Sequence, residues 1–89
     1  MPADIKGNKV KVGSRVRVLR IDPKVTEFLP EYEVKNINSM LNEVFNVYEI
    51  EYGGVWVEKW WNRREGKVES HSLSLSSGEM ELIVPTQKA

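Results

Sequence analysis

Residues 42–61, "NEVFNVYEIEYGGVWVEKWW", decide the fold. Two runs rich in β-branched and aromatic residues flank Gly53-Gly54, and glycine accepts the positive φ that two-residue hairpin turns demand. With that pair as the turn, Tyr52 opposes Val55, Glu51 opposes Trp56, Ile50 opposes Val57 and Glu49 opposes Glu58. Further from the turn, Tyr48 meets Lys59, Val47 meets Trp60 and Asn46 meets Trp61. Opposed residues share a side of the sheet. One side then collects Val44, Tyr48, Ile50, Tyr52, Val55, Val57 and Trp61, and this is the expected core side. The other collects Phe45, Val47, Glu49, Glu51, Trp56, Glu58 and Trp60.

On the N-terminal side, "KVKVGSRVRVLRI" (9–21) alternates Val10, Val12, Val16 and Val18 with Lys11, Arg15 and Arg17, the pattern of a half-buried strand with a bend or bulge at Gly13. Asp22-Pro23 ends it, because proline cannot donate to the ladder. The segment 24–44 mixes signals. Pro30, Glu31 and Glu33 suit a helix start, and Val34, Ile37 and Leu41 share one helical face, whereas Asn36, Asn38, Ser39 and Asn42 are poor helix formers. A short helix or helical turn inside a long connection is expected. On the C-terminal side, "NRREGK" (62–67) is a charged turn. His71, Leu73 and Leu75 then alternate with Ser70, Ser72, Ser74 and Ser76, "SSGE" makes a tight helical turn around Gly78, and Met80, Leu82 and Val84 form a last short strand. Residues 1–9 read as a flexible lead-in, 10–84 as one domain and 85–89 as a tail.

The expected fold is mostly β: a small five-stranded barrel with a long first connection, closed because closure removes the edges that a lone small sheet exposes. In "VGSRVRVLRI" (12–21), "MLNEVFNVYEI" (40–50) and "HSLSLSSGEMELI" (71–83) the chain resembles the Src-homology-3-like barrels. It looks most like small bacterial accessory subunits of that architecture, such as nitrile hydratase beta-subunit ends and ferredoxin-docking subunits. The resemblance spans about residues 10–84 and is one of pattern and order. It implies a binding module, and no catalytic or ligand motif transfers with it onto named positions.

Composition narrows the chemistry. Eighty-nine residues fit one domain, just above the roughly 70–80 residues below which a core seldom supplies more than about 3–5 kcal/mol unaided. There is no cysteine for disulfides or thiolate metal sites. The lysines near the N-terminus precede no apolar run, so no signal peptide or membrane span is read, and a cytoplasmic setting is expected. Net charge is zero but segregated: residues 1–24 carry seven bases against two acids, and residues 25–58 one base against seven acids. Sheet pairing can bring those blocks together. The single histidine, His71, has Ser70 and Ser72 on the opposite side, so no hydrolytic triad is expected and a partly buried, hydrogen-bonded role is. The pairs Glu49/Glu51 and Glu79/Glu81 could hold a hard cation or act as acid and base, but they also fit a solvated strand face. No catalytic residue, metal site or cofactor is expected.

All three tryptophans lie in one strand. Trp61 goes to the core side, and Trp56 and Trp60 to the side shared with Glu49, Glu51 and Glu58. Either the 22–42 connection roofs these two rings with Leu29, Ile37 or Met40, or they stand in solvent. Free aromatic rings among carboxylates suit a protein partner with a basic complement. The leading expectation is a non-catalytic accessory or adaptor, monomeric or weakly dimeric, that docks onto a larger protein. Its contact residues would be Trp56, Trp60, Glu49, Glu51 and Glu58, with Arg63 and Arg64 as a basic rim. RNA or single-stranded DNA binding through Trp60, Arg63, Arg64 and the basic first strand is the second reading, with Lys59 at the same end of the hairpin. A small subunit of a multi-chain enzyme is the third.

Overall fold

The computed structural model describes residues 2–62 and 66–84. Strand β1 (Arg15–Val18) lies between β2 (Val44–Asn46) and β6 (Met80–Leu82) in one antiparallel sheet, and β4 (Gly54–Asn62) lies between β3 (Glu49–Glu51) and β5 (Val68–Leu75) in a second. Two short helices, α1 (Pro23–Thr26) and α2 (Glu31–Asn38), occupy the long first connection, and a 3-10 turn at Ser77–Glu79 precedes β6. The chain is thus mostly β, in two small antiparallel sheets. Alternation decides what each strand buries: Val16 and Val18 from β1 meet Val55, Val57, Leu73 and Leu75 from β4 and β5, with Ile37 and Met40 of the connection packed among them.

The hairpin turns one residue earlier than the diglycine suggests. Glu51 pairs with Gly54, Ile50 with Val55 and Glu49 with Trp56, so the turn residues are Tyr52 and Gly53. Both have positive φ, 51° and 77°, as a primed turn requires. The second glycine lies in the strand, where a Cβ would stand 2.5 Å from Ser74 Oγ and would force that hydroxyl to turn aside. Moving the turn by one residue shifts each partner by two, which preserves the side on which each residue from 49 to 61 lies. Tyr52 is fully exposed in a conformation that disfavours its Cβ. Replacing it by asparagine, which tolerates that region, should raise the unfolding free energy by about 1 kcal/mol in a urea titration. No gain would mean that the tyrosine ring makes a compensating contribution.

The expected unbroken strand through residues 44–52 divides at Val47-Tyr48. Val47 exchanges backbone bonds with the first-strand segment (Val47 N to Ser14 O, 2.8 Å; Gly13 N to Val47 O, 2.9 Å), whereas Tyr48 N donates to Trp56 O at 3.1 Å. Neighbouring residues therefore serve different sheets. Their burial is the reverse of simple alternation: Val47 is 2% exposed and Tyr48 42%. Val12 also departs from expectation. Residues 11–14 form a turn with Gly13 at φ 94°, and Val12 faces solvent. The first strand stops at Val18, short of Asp22-Pro23, which instead starts α1, with Asp22 Oδ1 accepting from Lys24 N. Helix α2 stops at Asn38, and the tight turn after it brings Met40 rather than Leu41 into the core.

Residues 2–9, read from sequence as a flexible lead-in, carry a buried charge. Asp4 is 3% exposed. Its Oδ1 accepts from the backbone of Lys6 and Asn8, and its Oδ2 from the Asn8 side chain and from Leu82 N of β6 at 2.7 Å. Ile5 N also donates to Met80 O. The N-terminal loop is thereby tied to the last strand.

Candidate functional site

The side of β3-β4-β5 facing away from the core is built from a row of large rings opposed by small hydroxyls. Trp56 pairs with Ser74 and with Glu49, Glu58 with Ser72, and Trp60 with Ser70. A serine opposite a tryptophan leaves most of the indole without cross-strand cover. Trp60 is 60% exposed, and Trp56 is half-buried next to Gly54. The break at Val47-Tyr48 adds a third ring to this side, since the Tyr48 hydroxyl lies 3.0 Å from Ser72 Oγ. Between the two sheets an open depression of about 590 Å³ is lined by Arg15, Val44, Phe45, Asn46, Tyr48, Glu58 and Trp60. The long connection does not roof it. Ile37 and Met40 are buried in the core and Leu29 packs against it.

Five expected contact residues, Trp56, Trp60, Glu49, Glu51 and Glu58, thus share one side of one sheet. Arg63 and Arg64 lie outside the described residues. Phe45, expected on the side of Trp60, lines the groove too, whereas Arg15 and Tyr48 are not singled out by the sequence as groove residues. Arg15 is indistinguishable from any solvated strand cation, and Tyr48 needs a break in phase that only the adjacent apolar pair Val47-Tyr48 hints at.

The acidic end of this side is crowded. A hydrogen bond with Glu51, desolvation and the like charge of Glu51 all raise the Glu49 carboxyl above its ordinary value. Folded Glu49 therefore keeps its proton to higher pH than unfolded Glu49, and the pair weakens the fold as pH rises through that interval. Glu51→Gln replaces an acid by an amide donor, so a carboxyl-detected NMR titration should find Glu49 lowered towards the ordinary range. An unchanged value would assign the shift to something other than Glu51.

The core-facing row of β4 and β5 ends differently from its apolar start. Lys59 opposes His71, and Trp61 opposes Glu69. Lys59 Nζ pairs with Glu43, lies 3.4 Å from Ser39 Oγ and stands 5.3 Å from the centre of the Trp61 ring. It is turned away from the groove, which removes it from the basic set expected for nucleic acid. His71 packs edge-on against Trp61 with ring centres 5.3 Å apart, and its Nε2 lies 3.2 Å from Glu69 Oε1. Asn36 of α2 donates to the same oxygen at 3.3 Å. Each of these groups is held by another, as in a polar clasp between helix and sheet.

The carboxylates Glu79 and Glu81, paired in the sequence reading, have separate roles. Glu79 accepts from Ser76 N to cap the 3-10 turn, and Glu81 pairs with Lys6 at 3.1 Å. Among the described residues, no group of three or more His, Asp or Glu stands together as a metal cage, and no helix is long and apolar enough to cross a membrane. No protein-family model, no curated protein and no solved structure matches this chain.

Proposed function

We propose that this chain is a cytoplasmic, non-catalytic accessory module of Src-homology-3-like barrel architecture. It docks onto a larger protein through the solvent side of β3-β4-β5. The observation that carries the reading is Trp60, exposed beside an open groove while the long connection packs on the opposite side of its sheet. Large rings at the centre of a contact carry a disproportionate share of binding energy. The crowded Glu49 and Glu51 at one end, and Glu58 in the groove, favour a partner that brings lysine or arginine to meet them. Affinity capture from the native cell tests this. A specifically retained protein should be lost with Trp60→Ala and kept with Phe28→Ala, an exposed ring in the long connection. Equal retention by both variants would remove the docking role.

One observation favours a second reading. Arg15 of the basic first strand lines the same groove as Trp60 and Tyr48, a base beside stacking platforms, which suits single-stranded RNA or DNA. Such binding would weaken steeply with salt, by about one counterion per phosphate contact. Oligonucleotide titrations at two salt concentrations separate the readings, and absence of binding at low salt removes this one.

A further inference from the structure

Of the four sheet edges among the described residues, three are short. Strands β2, β3 and β6 have three residues each, and β3 also carries Glu49 and Glu51. The fourth, β5, has eight residues, "VESHSLSL", with no lysine or proline to discourage pairing, and among the described residues no strand lies beyond it. The hairpin register fixes which of its backbone groups are unused. Glu51 and Gly54 flank the two-residue turn and exchange both bonds, so alternation along β4 directs Val55, Val57, Lys59 and Trp61 at β5. Their partners Leu75, Leu73, His71 and Glu69 point back, which leaves the N–H and C=O of Val68, Ser70, Ser72 and Ser74 aimed outward.

We infer that a second copy of this chain pairs with that edge, β5 against β5, antiparallel about a two-fold axis at Ser70. The strand is self-complementary in this register. Ser70 meets the second copy's Ser70, uncharged and small, and Val68 meets its Ser72. On the core-facing side Glu69 meets the second copy's His71, and His71 meets its Glu69. Centring on Ser72 instead would set His71 against Leu73 and Glu69 against Leu75, with no charge matched. The acid and imidazole that clasp one another within a copy, 3.2 Å apart, would join the equivalent pair across the axis. The result is one six-stranded sheet. Because Ser70 is the cross-strand partner of Trp60, the two Trp60 rings would stand on one surface on either side of the axis. The inference does not depend on what docks there.

The test is molar mass by light scattering on the 89-residue chain up to about 500 µM, since edge pairing of one strand makes a small, weak interface. The wild type should rise from its 10.3 kDa monomer towards twice that mass. Ser70→Pro removes an outward N–H without touching a bond to β4, and Ser70→Lys sets like charges face to face at the axis. Both should stay monomeric, with at least a tenfold weaker association. Circular dichroism checks that Ser70→Pro is folded; if it is not, Ser70→Lys decides. A wild type that is monomeric throughout, or a dimer indifferent to the deciding variant, overturns the inference. So does a dimer lost with Trp60→Ala but kept with Ser70→Lys, which would put the contact on the ring-bearing side instead of the edge.

Discussion

Asp4→Ala should lower the unfolding free energy by about 3 kcal/mol, visible as a fall of roughly 15 °C in Tm. The substitution removes four accepted hydrogen bonds, and it leaves Leu82 N inside the junction of the N-terminal loop and β6 with no acceptor. A part-buried donor left without its acceptor is only partly rehydrated, so the effect, added to the other lost bonds, exceeds that of a typical surface change. The carboxyl also gives the fold a pH dependence. Burial by itself would raise its pKa, but the donors from Leu82, Asn8 and Lys6 together outweigh burial and hold it below its ordinary 3.8. A depressed folded value means that the stabilisation is complete above the unfolded pKa and is lost as pH falls through the folded one. Acid titration of the wild type should therefore show this loss, and Asp4→Asn should abolish that part of it while retaining some of the loop's bonds. Equal acid sensitivity in both proteins would assign it to other carboxyls.

Trp60→Ala should do the reverse: little to the fold and much to binding. The ring is more than half exposed and faces a serine, so its removal should change stability by no more than about 0.5 kcal/mol. If it anchors a partner, its loss should weaken affinity roughly 30-fold, equivalent to about 2 kcal/mol. Paired urea and binding measurements on the same variant separate these effects. Large destabilisation with unchanged affinity would make Trp60 a structural ring. Trp56, half-buried beside Gly54, should show a mixed response, with a measurable stability loss alongside any loss of binding.

The alternation of valines with bases in β1, and of leucines with serines in β5, is legible because each strand presents one side to a single core. The helical turn around Gly78 and the helix after Pro30 are legible for the same local reason: capping and spacing need no knowledge of partners. Two features depended on contacts distant in sequence and could not be read. Gly53-Gly54 names a hairpin, but the strand pairing puts Gly54 in β4 and Tyr52 in the turn. Val47-Tyr48 looks like continuous strand until Gly13-Ser14, just before β1, claims one residue and β4 the other. Asp4 was invisible for a similar reason, since an acid in a polar N-terminal stretch carries no sign that a strand 78 residues away donates to it. For the candidate site, the acids and indoles of β3 and β4 were legible because parity survives a two-residue shift. The groove contribution of Arg15 and Tyr48 came only with the approach of the two sheets.

Oxidative footprinting of the free chain and of its captured complex tests the docking surface most directly. Trp60 and Tyr48 should lose reactivity in the complex, while the exposed Phe28 of the long connection keeps its own. Trp60 oxidised equally in both states, with protection appearing at Phe28 in the long connection, would contradict a docking role for the solvent side of β3-β4-β5.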